Sequence, residues 1–250
     1  MKNLVGNHQK EIENFFAGNV AYGGESPEFE FPLILMGFTN RCGSNLLAER
    51  LRLTGTFGGL YEHLNADAVA NMAKETGAQS FPEHLSNIIP RHKGAAPVFG
   101  FKSSWDQLLM ILRWRIDKMF SGLRIINIQR LDVLGQAVSY SIADQTKKWT
   151  SNQQGNGKTP VYDAYDIQNR LNGISNGNGM LRQICSVLDL DSYNLTYEDF
   201  LDSPIIELDK IHKWLGMPLR KIDVGARGLQ KQSNNLNQQF VQRFRDEARL

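Results

Sequence analysis

A short polar segment has the residue types of an anion-binding loop. The segment TNRCGSN, residues 39–45, follows the apolar residues 31–38 and precedes the helical pattern LLAERL. The first amides of a helix have no partner inside it, and the helix dipole attracts negative charge to that end. Arg41 can add a charge-assisted hydrogen bond, Gly43 allows the backbone to approach a ligand, and the Ser44 hydroxyl can donate to a phosphate or sulfonate oxygen. This pattern favours an oxyanion site, but an ordinary strand-to-helix turn capped by Ser44 would fit it as well.

The same segment lacks the lysine of nucleotide triphosphatases. Their phosphate-binding loop reads G-x-x-x-x-G-K-[ST], and the lysine reaches the terminal phosphates. In this chain no lysine follows Gly43, because Ser44 occupies that position. A magnesium-dependent triphosphatase is therefore disfavoured.

A second candidate anion site lies in the segment INIQRLDVLGQAVSYSIADQTKKW, residues 126–149. Arg130 follows the carboxyl end of a predicted strand, and Ser139 lies nine residues further on, inside the following helix. Both side chains can converge on one phosphate beside the first loop. Taken singly, a solvated arginine and a buried serine explain them equally well.

Composition excludes some classes of protein. The chain has 250 residues and a net charge of +2, which argues against a dedicated nucleic-acid binder with a dense basic field. Its two cysteines, Cys42 and Cys185, have neither a metal-ligand spacing nor a disulfide framework around them, so we expect free thiols in a reducing compartment. The N-terminus has no secretory pattern, and no apolar run reaches membrane-spanning length. We therefore expect a soluble cytoplasmic protein with no integral membrane segment.

The order of the predicted elements indicates an α/β fold. Apolar runs of strand length occur at residues 31–38, 97–101, 123–128 and 193–197, separated mostly by helical patterns. Almost continuously apolar strands are typical of a mostly parallel central sheet flanked by helices on both faces. Ligands of such sheets bind at the carboxyl ends of the strands, where Arg41 and Arg130 are predicted to lie.

The helices can be bounded from sequence as well. We expect one from Ser44 to a stop at Gly55, and others over 105–120, from an N-cap at Asp132 towards Trp149, and between Ser203 and Gly216. The Asn- and Gly-rich stretches 150–160 and 172–180 favour loops or interruptions of a helix. We predict one domain, 1–250, with an N-terminal extension at 1–30 and a variable loop region at 150–180.

Five motifs in order resemble those of bacterial carbohydrate sulfotransferases of the trehalose and Nod-factor type. They extend from about residue 33 to about residue 247, and they read NRCGSNLL, GGLYEHL, FGFKSSWDQL, RLDVLGQAVSYSIADQTKKW and LQKQSNNLNQQFVQRFRDEA. The resemblance implies a P-loop-like sulfotransferase fold. It also implies transfer of a sulfuryl group from 3′-phosphoadenosine-5′-phosphosulfate (PAPS) to a sugar hydroxyl, with no metal required.

The resemblance also assigns roles to residues. Glu62 matches the general base in YEHL, and Lys102 at a strand end is placed to stabilise the sulfuryl or bridging oxygen. The 5′-phosphosulfate would lie in the loop and the 3′-phosphate against the second motif, while the C-terminal motif would close over the nucleotide. The donor-binding residues are then Arg41, Cys42, Gly43, Ser44 and Asn45 for the first, Arg130 and Ser139 for the second, and Lys231 and Gln232 for the third.

Several positions depart from the family pattern. Cys42 stands where serine is common, so the loop loses one hydroxyl donor, and Ile142 stands where an arginine often follows Ser139 on the helix. The glycines of 172–180 interrupt what is a continuous helix in relatives, which indicates a different acceptor. His63 is a second candidate for the base because its unperturbed pKa is near neutrality.

Other interpretations remain open at this point. For Trp105 and Trp149, packing in the core or at the rim is a better explanation than stacking on adenine or sugar. A nucleotide or small-molecule kinase would need magnesium and the missing lysine, and a nucleotide-binding relative without turnover is consistent with Cys42 and Ile142. The acceptor, a carbohydrate or glycolipid by resemblance, has no recognisable code in the loops, and a homodimer is compatible with the sequence.

Overall fold

The computed structural model describes residues 4–150, 153–219 and 235–249. Within them a five-stranded sheet has the strand order β2-β3-β1-β4-β5, and every neighbouring pair is parallel. The strands are β1 Leu33–Gly37, β2 Phe57–Tyr61, β3 Val98–Ser103, β4 Leu123–Gln129 and β5 Ser192–Thr196. The predicted α/β fold with a parallel central sheet is confirmed.

Helices occupy most of the segments between the strands. They are α1 Asn7–Phe15, α2 Ser44–Leu53, α3 Ala66–Thr76, α4 Phe81–Lys93, α5 Trp105–Arg113, α6 Val133–Thr146, α7 Ala164–Val187, α8 Tyr197–Asp202, α9 Pro204–Trp214 and α10 Asn235–Glu247. Asp132 caps α6 as predicted, since its Oδ1 accepts a hydrogen bond of 2.9 Å from the amide of Gly135. Pro204 opens α9 as predicted, and the helix ends at Trp214, two residues before Gly216.

Alternate residues of the sheet contribute to two apolar layers. Leu33 and Leu35 of β1 join a cluster with α1, α4, α5 and α7, while Ile34 and Met36 join a second cluster with α2, α8 and α9. All four side chains are fully buried. Burial on both faces is the physical reason why β1 reads as a continuous apolar run.

Strand β2 was not predicted from the sequence. Its FGGLY segment contains two glycines, which strands disfavour. A Cβ on Gly58 would lie 2.5 Å from the Cα of Lys93, so α4 passes too close for a side chain. Gly59 has a φ of +71°, and the pairing with β3 shifts register between Gly59 and Tyr61. This irregular strand ends one residue before Glu62.

Two predicted helical regions differ from the structure. The helix expected over 105–120 ends at Arg113, and a 3-10 turn follows at Ile116–Met119 after Arg115 adopts a φ of 57°. The stretch 172–180, expected as loop or interrupted helix, lies inside the continuous helix α7. The prediction of a loop was wrong there, because burial of residues such as Ile174 and Leu181 outweighs the low helix propensity of glycine.

The N-terminal region contributes to the core. Within the predicted extension 1–30, Ile12, Phe16 and Val20 are buried in the same cluster as Leu33 and Leu35. In the described part of the chain, no helix combines the length and the apolar character needed to cross a bilayer.

Candidate active site

A cavity of about 550 Å³ lies where the carboxyl ends of β1, β3 and β4 meet the first turn of α2. Most of the residues singled out in the sequence line this cavity. Its lining includes the predicted Arg41, Gly43, Ser44, Asn45, Glu62, Lys102, Arg130 and Ser139, together with Trp149, Thr150 and Tyr197 and the α10 residues Asn237, Gln238, Val241, Gln242 and Arg245. The two strand ends predicted to bind anions therefore face one cavity.

The loop between β1 and α2 has an unusual backbone. Arg41 has a φ of 68° and Gly43, the residue before α2, has a φ of 96°. A Cβ on Gly43 would lie 2.2 Å from Cδ2 of Tyr197, so both the backbone angle and the neighbouring ring require glycine. Ser44 and Asn45, the first residues of α2, line the cavity, so the start of this helix is placed as in an oxyanion site.

Buried side chains of α6 and α7 form hydrogen bonds with the residues of this loop that precede Arg41. The Nε2 atom of Gln136, which is fully buried, donates hydrogen bonds of 2.9 Å to Oγ1 of Thr39 and 2.8 Å to the carbonyl of Asn40. Thr39 in turn donates to Oδ1 of Asn178 on α7 at 3.1 Å. A Cβ on Gly177 would approach Cγ2 of Thr39 to 2.8 Å. The Asn- and Gly-rich segment of α7 thus packs directly against the residues that precede Arg41.

Arg41 links the loop to α6. Its Nε donates a hydrogen bond of 3.0 Å to Oγ of Ser139, and its Nη1 donates to the carbonyl oxygen of Trp149. Burial and, second, the positive charge of Arg130 lower the pKa of Arg41. The guanidinium still carries its charge at neutral pH, so two like charges lie near each other. An anion between Arg41 and Arg130 would relieve this repulsion.

The same hydrogen bond changes one detail of the expected layout. From the sequence, Arg41 was assigned to the 5′ end of the donor and Ser139 to the 3′-phosphate. In the structure these two side chains contact each other directly. The guanidinium of Arg41 therefore reaches from the loop towards the side of the cavity that contains Arg130 and Ser139.

Arg130 is only partly neutralised by its own surroundings. Its Nη2 donates to Oδ2 of Asp132 at 3.0 Å, and its guanidinium lies 5.6 Å from the ring centre of Tyr197. The side chain is 15% exposed, and its Nε is buried without a hydrogen-bond partner among the described residues. A buried donor without a partner is costly, which makes Arg130 a favourable contact for an anionic ligand.

On the other side of the cavity, Lys102 organises a compact polar cluster. Its ammonium lies 2.6 Å from Oε1 of Glu62 and 2.5 Å from Oδ1 of Asn45. It also lies 4.3 Å from the ring centre of Phe38. Lys102 is 3% exposed, whereas the Glu62 side chain is 42% exposed. A buried cation therefore positions a carboxylate that remains accessible to a substrate.

Some predicted residues lie apart from the cavity. The Cys42 side chain is fully buried among Leu47, Ile34 and their neighbours, burial raises its thiol pKa, and its amide donates to the carbonyl of Thr39. Cys42 was predicted to contact the donor, but its side chain does not reach the cavity. Lys231 and Gln232 lie outside the described residues.

The structure also shows where the alternative base, His63, and three other residues singled out in the sequence lie. His63 stacks on Tyr61 and lies 4.3 Å from the ring centre of His92, away from the cavity lining, and burial lowers its pKa to about 4. Trp105 packs on the core, whereas Trp149 lines the cavity. Ile142 packs in the apolar cluster between α6, α7 and α10. The departure at Ile142 therefore affects packing rather than the cavity surface.

Sequence reasoning missed the contribution of α10. Asn237, Val241 and Arg245 follow one another at intervals of four residues and all line the cavity. The same spacing can be read in the C-terminal motif of the sequence, and it would have predicted that these three residues share one face of a helix. Tyr197 was also missed, because nothing in YEDF distinguishes it from an ordinary start of a helix.

The described residues contain no group of three or more His, Cys, Asp or Glu side chains suited to a metal ion. A comparison with curated proteins finds no match to this chain. Solved structures with a similar fold are nevertheless known, and three sulfotransferases are among them.

A sulfotransferase domain from the curacin biosynthetic pathway aligns with a TM-score of 0.52 and 14% identity over 80% of this chain and 81% of that one. The sulfotransferase domain of the Synechococcus PCC 7002 olefin synthase gives 0.50 and 13% over 90% of each chain. The mouse sulfotransferase SULT7A1 complexed with PAP gives 0.49 and 12% over 85% of this chain and 66% of that one. At these identities the first two relatives support the fold alone.

The sequence itself decides the family. A family model described as Stf0 sulphotransferase matches residues 33–247, which include all five strands and every cavity residue named above. With a parallel sheet and an arginine-lined cavity at its carboxyl edge, the chain belongs to the Stf0 sulphotransferase family.

Proposed function

We propose that this protein transfers the sulfuryl group of PAPS to a hydroxyl of a carbohydrate or glycolipid, with Glu62 as general base. The observation that carries the proposal is that one cavity has a group of anion-binding side chains on one side and a lysine–carboxylate pair on the other. Arg41, Arg130 and Ser139 lie on one side, and Lys102 with Glu62 lies on the other. The first side suits a nucleotide phosphate, and the second suits proton removal and charge stabilisation.

The residues present fit a donor with several negative charges. Arg41 and Arg130 repel each other, and the buried Nε of Arg130 has no partner among the described residues. Both features favour an anion between the two guanidinium groups. The backbone at Gly43 and the hydroxyl of Ser44 add donors at the start of α2. PAPS supplies an activated sulfuryl group whose bond to the 5′-phosphate breaks as the acceptor oxygen attacks.

Glu62 and Lys102 have different roles in the proposed reaction. The exposed carboxylate of Glu62 takes the proton from the acceptor hydroxyl, which becomes a better nucleophile. Lys102, fixed by Asn45 and Glu62, stabilises the negative charge that develops on the transferring group and on the leaving phosphate. The transfer is direct and in line, so no covalent intermediate on the protein is needed.

The acceptor class rests on the resemblance to carbohydrate sulfotransferases of the trehalose and Nod-factor type. The Glu62 carboxylate is 42% exposed, which is consistent with an acceptor that enters from solvent. A kinase is disfavoured because Ser44, not lysine, follows Gly43. We place the protein in the cytoplasm on the basis of its two free, buried cysteines.

The test measures label transfer from radiolabelled PAPS to a panel of sugars and glycolipids, without added metal. Wild type is compared with Glu62→Gln, and Glu75→Gln on the exposed face of α3 serves as the matched control. Loss of a general base should lower turnover by about 10²- to 10⁴-fold. PAP binding, measured by calorimetry, should survive in both variants.

The outcomes separate the alternatives. Transfer by wild type that persists in Glu62→Gln contradicts the role of Glu62. Binding of PAP without transfer to any acceptor contradicts the proposed acceptor class and favours a relative without turnover. Absence of PAP binding by wild type contradicts the proposed donor.

A further inference from the structure

We infer that Arg245 on α10 binds the 3′-phosphate of the donor and so helps the protein to distinguish PAPS from nucleotides that lack this group. The inference rests on the proposed function, since it concerns the donor of the same cavity. It adds a residue outside the two strand ends that the sequence motifs indicate.

Helix α10 is fixed over the cavity by its apolar side. Phe240 is buried in a cluster with Ala137 and Val138 of α6 and with Ile167 and Ile174 of α7. The adjoining side of α10 lines the cavity with Asn237, Gln238, Val241, Gln242 and Arg245, whose spacing is that of one helical face. Arg245 is the charged member of this face. Because Phe240 and Val241 anchor the helix on this cluster, the cavity-facing residues have a defined position.

The sheet order locates α10 at the phosphate end of the cavity. Strand β1 lies in the middle, with β3 on one side and β4 on the other. Lys102 belongs to β3, whereas Arg130 follows β4 and Ser139 lies on α6. Helix α10 packs against α6. Arg245 therefore lines the cavity on the side of Arg130 and Ser139, away from the reacting end.

The other cations of the cavity already have partners within the protein. Lys102 contacts Glu62, Arg130 contacts Asp132, and Arg41 donates to Ser139. Arg245 forms no ion pair or side-chain hydrogen bond with the described residues.

Two nearby arginines differ in this respect, Arg243 on α10 and Arg249 just after its end. Arg243 pairs with Glu247 at 2.8 Å, and Arg249 lies 3.6 Å from Asp246. Arg245 is thus a cation that faces the cavity and has no partner in the described part of the chain, which makes it available to a ligand. Arg245 also lies in the last turn of α10, where a positive charge interacts favourably with the helix dipole. That stabilising role would not require a ligand.

The test compares two nucleotides that differ only in the 3′-phosphate. Calorimetry measures binding of PAP and of adenosine 5′-phosphate to wild type, Arg245→Gln, Arg245→Lys and the control Arg249→Gln. Arg245 is solvent-exposed, so the contact is partly screened, and we expect PAP binding to weaken by about three- to tenfold at low salt. Binding of adenosine 5′-phosphate should stay unchanged. Arg245→Lys should retain much of the preference, and thermal unfolding verifies that every variant is folded.

The results distinguish this inference from the proposed function. If wild type binds PAP and Arg245→Gln binds it equally well, the inference is wrong while the proposed donor stands. Equal weakening of both nucleotides also contradicts the inference, because it indicates a general field or a contact to the shared 5′-phosphate. If wild type does not bind PAP, the proposed function itself fails.

Discussion

Replacing Lys102 by methionine removes one charge from the cavity while keeping a side chain of similar length. Lys102 is 3% exposed, and its ammonium lies 4.3 Å from the ring centre of Phe38, so the end of a methionine side chain can pack beside that ring. The substitution removes the ammonium that lies 2.6 Å from Glu62 and 2.5 Å from Asn45. It therefore tests the electrostatic role of Lys102 with little change in packing.

The magnitude follows from the position of the charge. A fixed donor aimed at charge that develops in the transition state is worth about 10²- to 10³-fold in turnover, or about 2.7–4 kcal/mol. The effect on folding should be small, because Glu62 loses its partner but remains 42% exposed to water. A pair in which one partner is solvated contributes about 0–1 kcal/mol, and removing a buried cation offsets part of that. Turnover and stability should thus respond very differently.

The assay combines three measurements on Lys102→Met and on the control Lys74→Met, which changes an exposed lysine of α3. Label transfer from PAPS gives turnover, calorimetry gives PAP affinity, and urea unfolding gives stability. We expect turnover to fall about 10²- to 10³-fold in Lys102→Met, with stability within about 1 kcal/mol of wild type. The control should match wild type in all three.

Unchanged turnover in a folded Lys102→Met variant would refute the reasoning. It would mean that the ammonium positions Glu62 without acting on the transferring group, or that the reaction takes place elsewhere. A large loss of stability would contradict the estimate that the exposed carboxylate tolerates the loss of its partner.

Three further substitutions test other parts of the structure. In Gly43→Ala the new Cβ would lie 2.2 Å from Cδ2 of Tyr197, at a residue whose φ is 96°. Because both features strain the loop, PAP affinity measured by calorimetry should fall, and unchanged affinity would contradict the loop geometry. Gln136→Leu removes both hydrogen bonds to residues 39–40, so the free energy of unfolding in urea should fall by about 1–3 kcal/mol. PAP binding should also weaken, and wild-type affinity for PAP would show that the loop does not depend on Gln136. His84 is buried with no hydrogen-bond partner for either ring nitrogen among the described residues, and burial lowers its pKa to about 4. Because the unfolded chain takes up this proton near pH 6.5, stability should fall as the pH decreases from about 6.5 to about 4, and His84→Phe should reduce that slope; an identical pH profile would contradict this assignment.

The parts of the fold that sequence predicts well are those with strong local signals. The apolar runs of β1, β3, β4 and β5 and the cap at Asp132 depend on neighbouring residues and are visible without tertiary contacts. Strand β2 has no such signal, because its glycines are required by the backbone of α4 and by a bulge. The continuity of α7 likewise depends on burial against the rest of the protein.

The candidate site shows the same division. The motifs around Arg41 and Arg130 identify the two strand ends, and the parallel sheet brings them to one edge. The hydrogen bond from Arg41 to Ser139 and the burial of Cys42 depend on side-chain directions that spacing does not define. The cavity face of α10 comes from a helix distant in sequence, so its contribution required the structure.

A crystal structure with PAP bound tests the central claim most directly. The account predicts the 3′-phosphate against Arg130 and Ser139, and the 5′-phosphate at the start of α2 between Gly43 and Asn45, on the side of Lys102. A nucleotide bound outside this cavity, or bound in it with both phosphates away from Arg130 and the start of α2, would contradict the account.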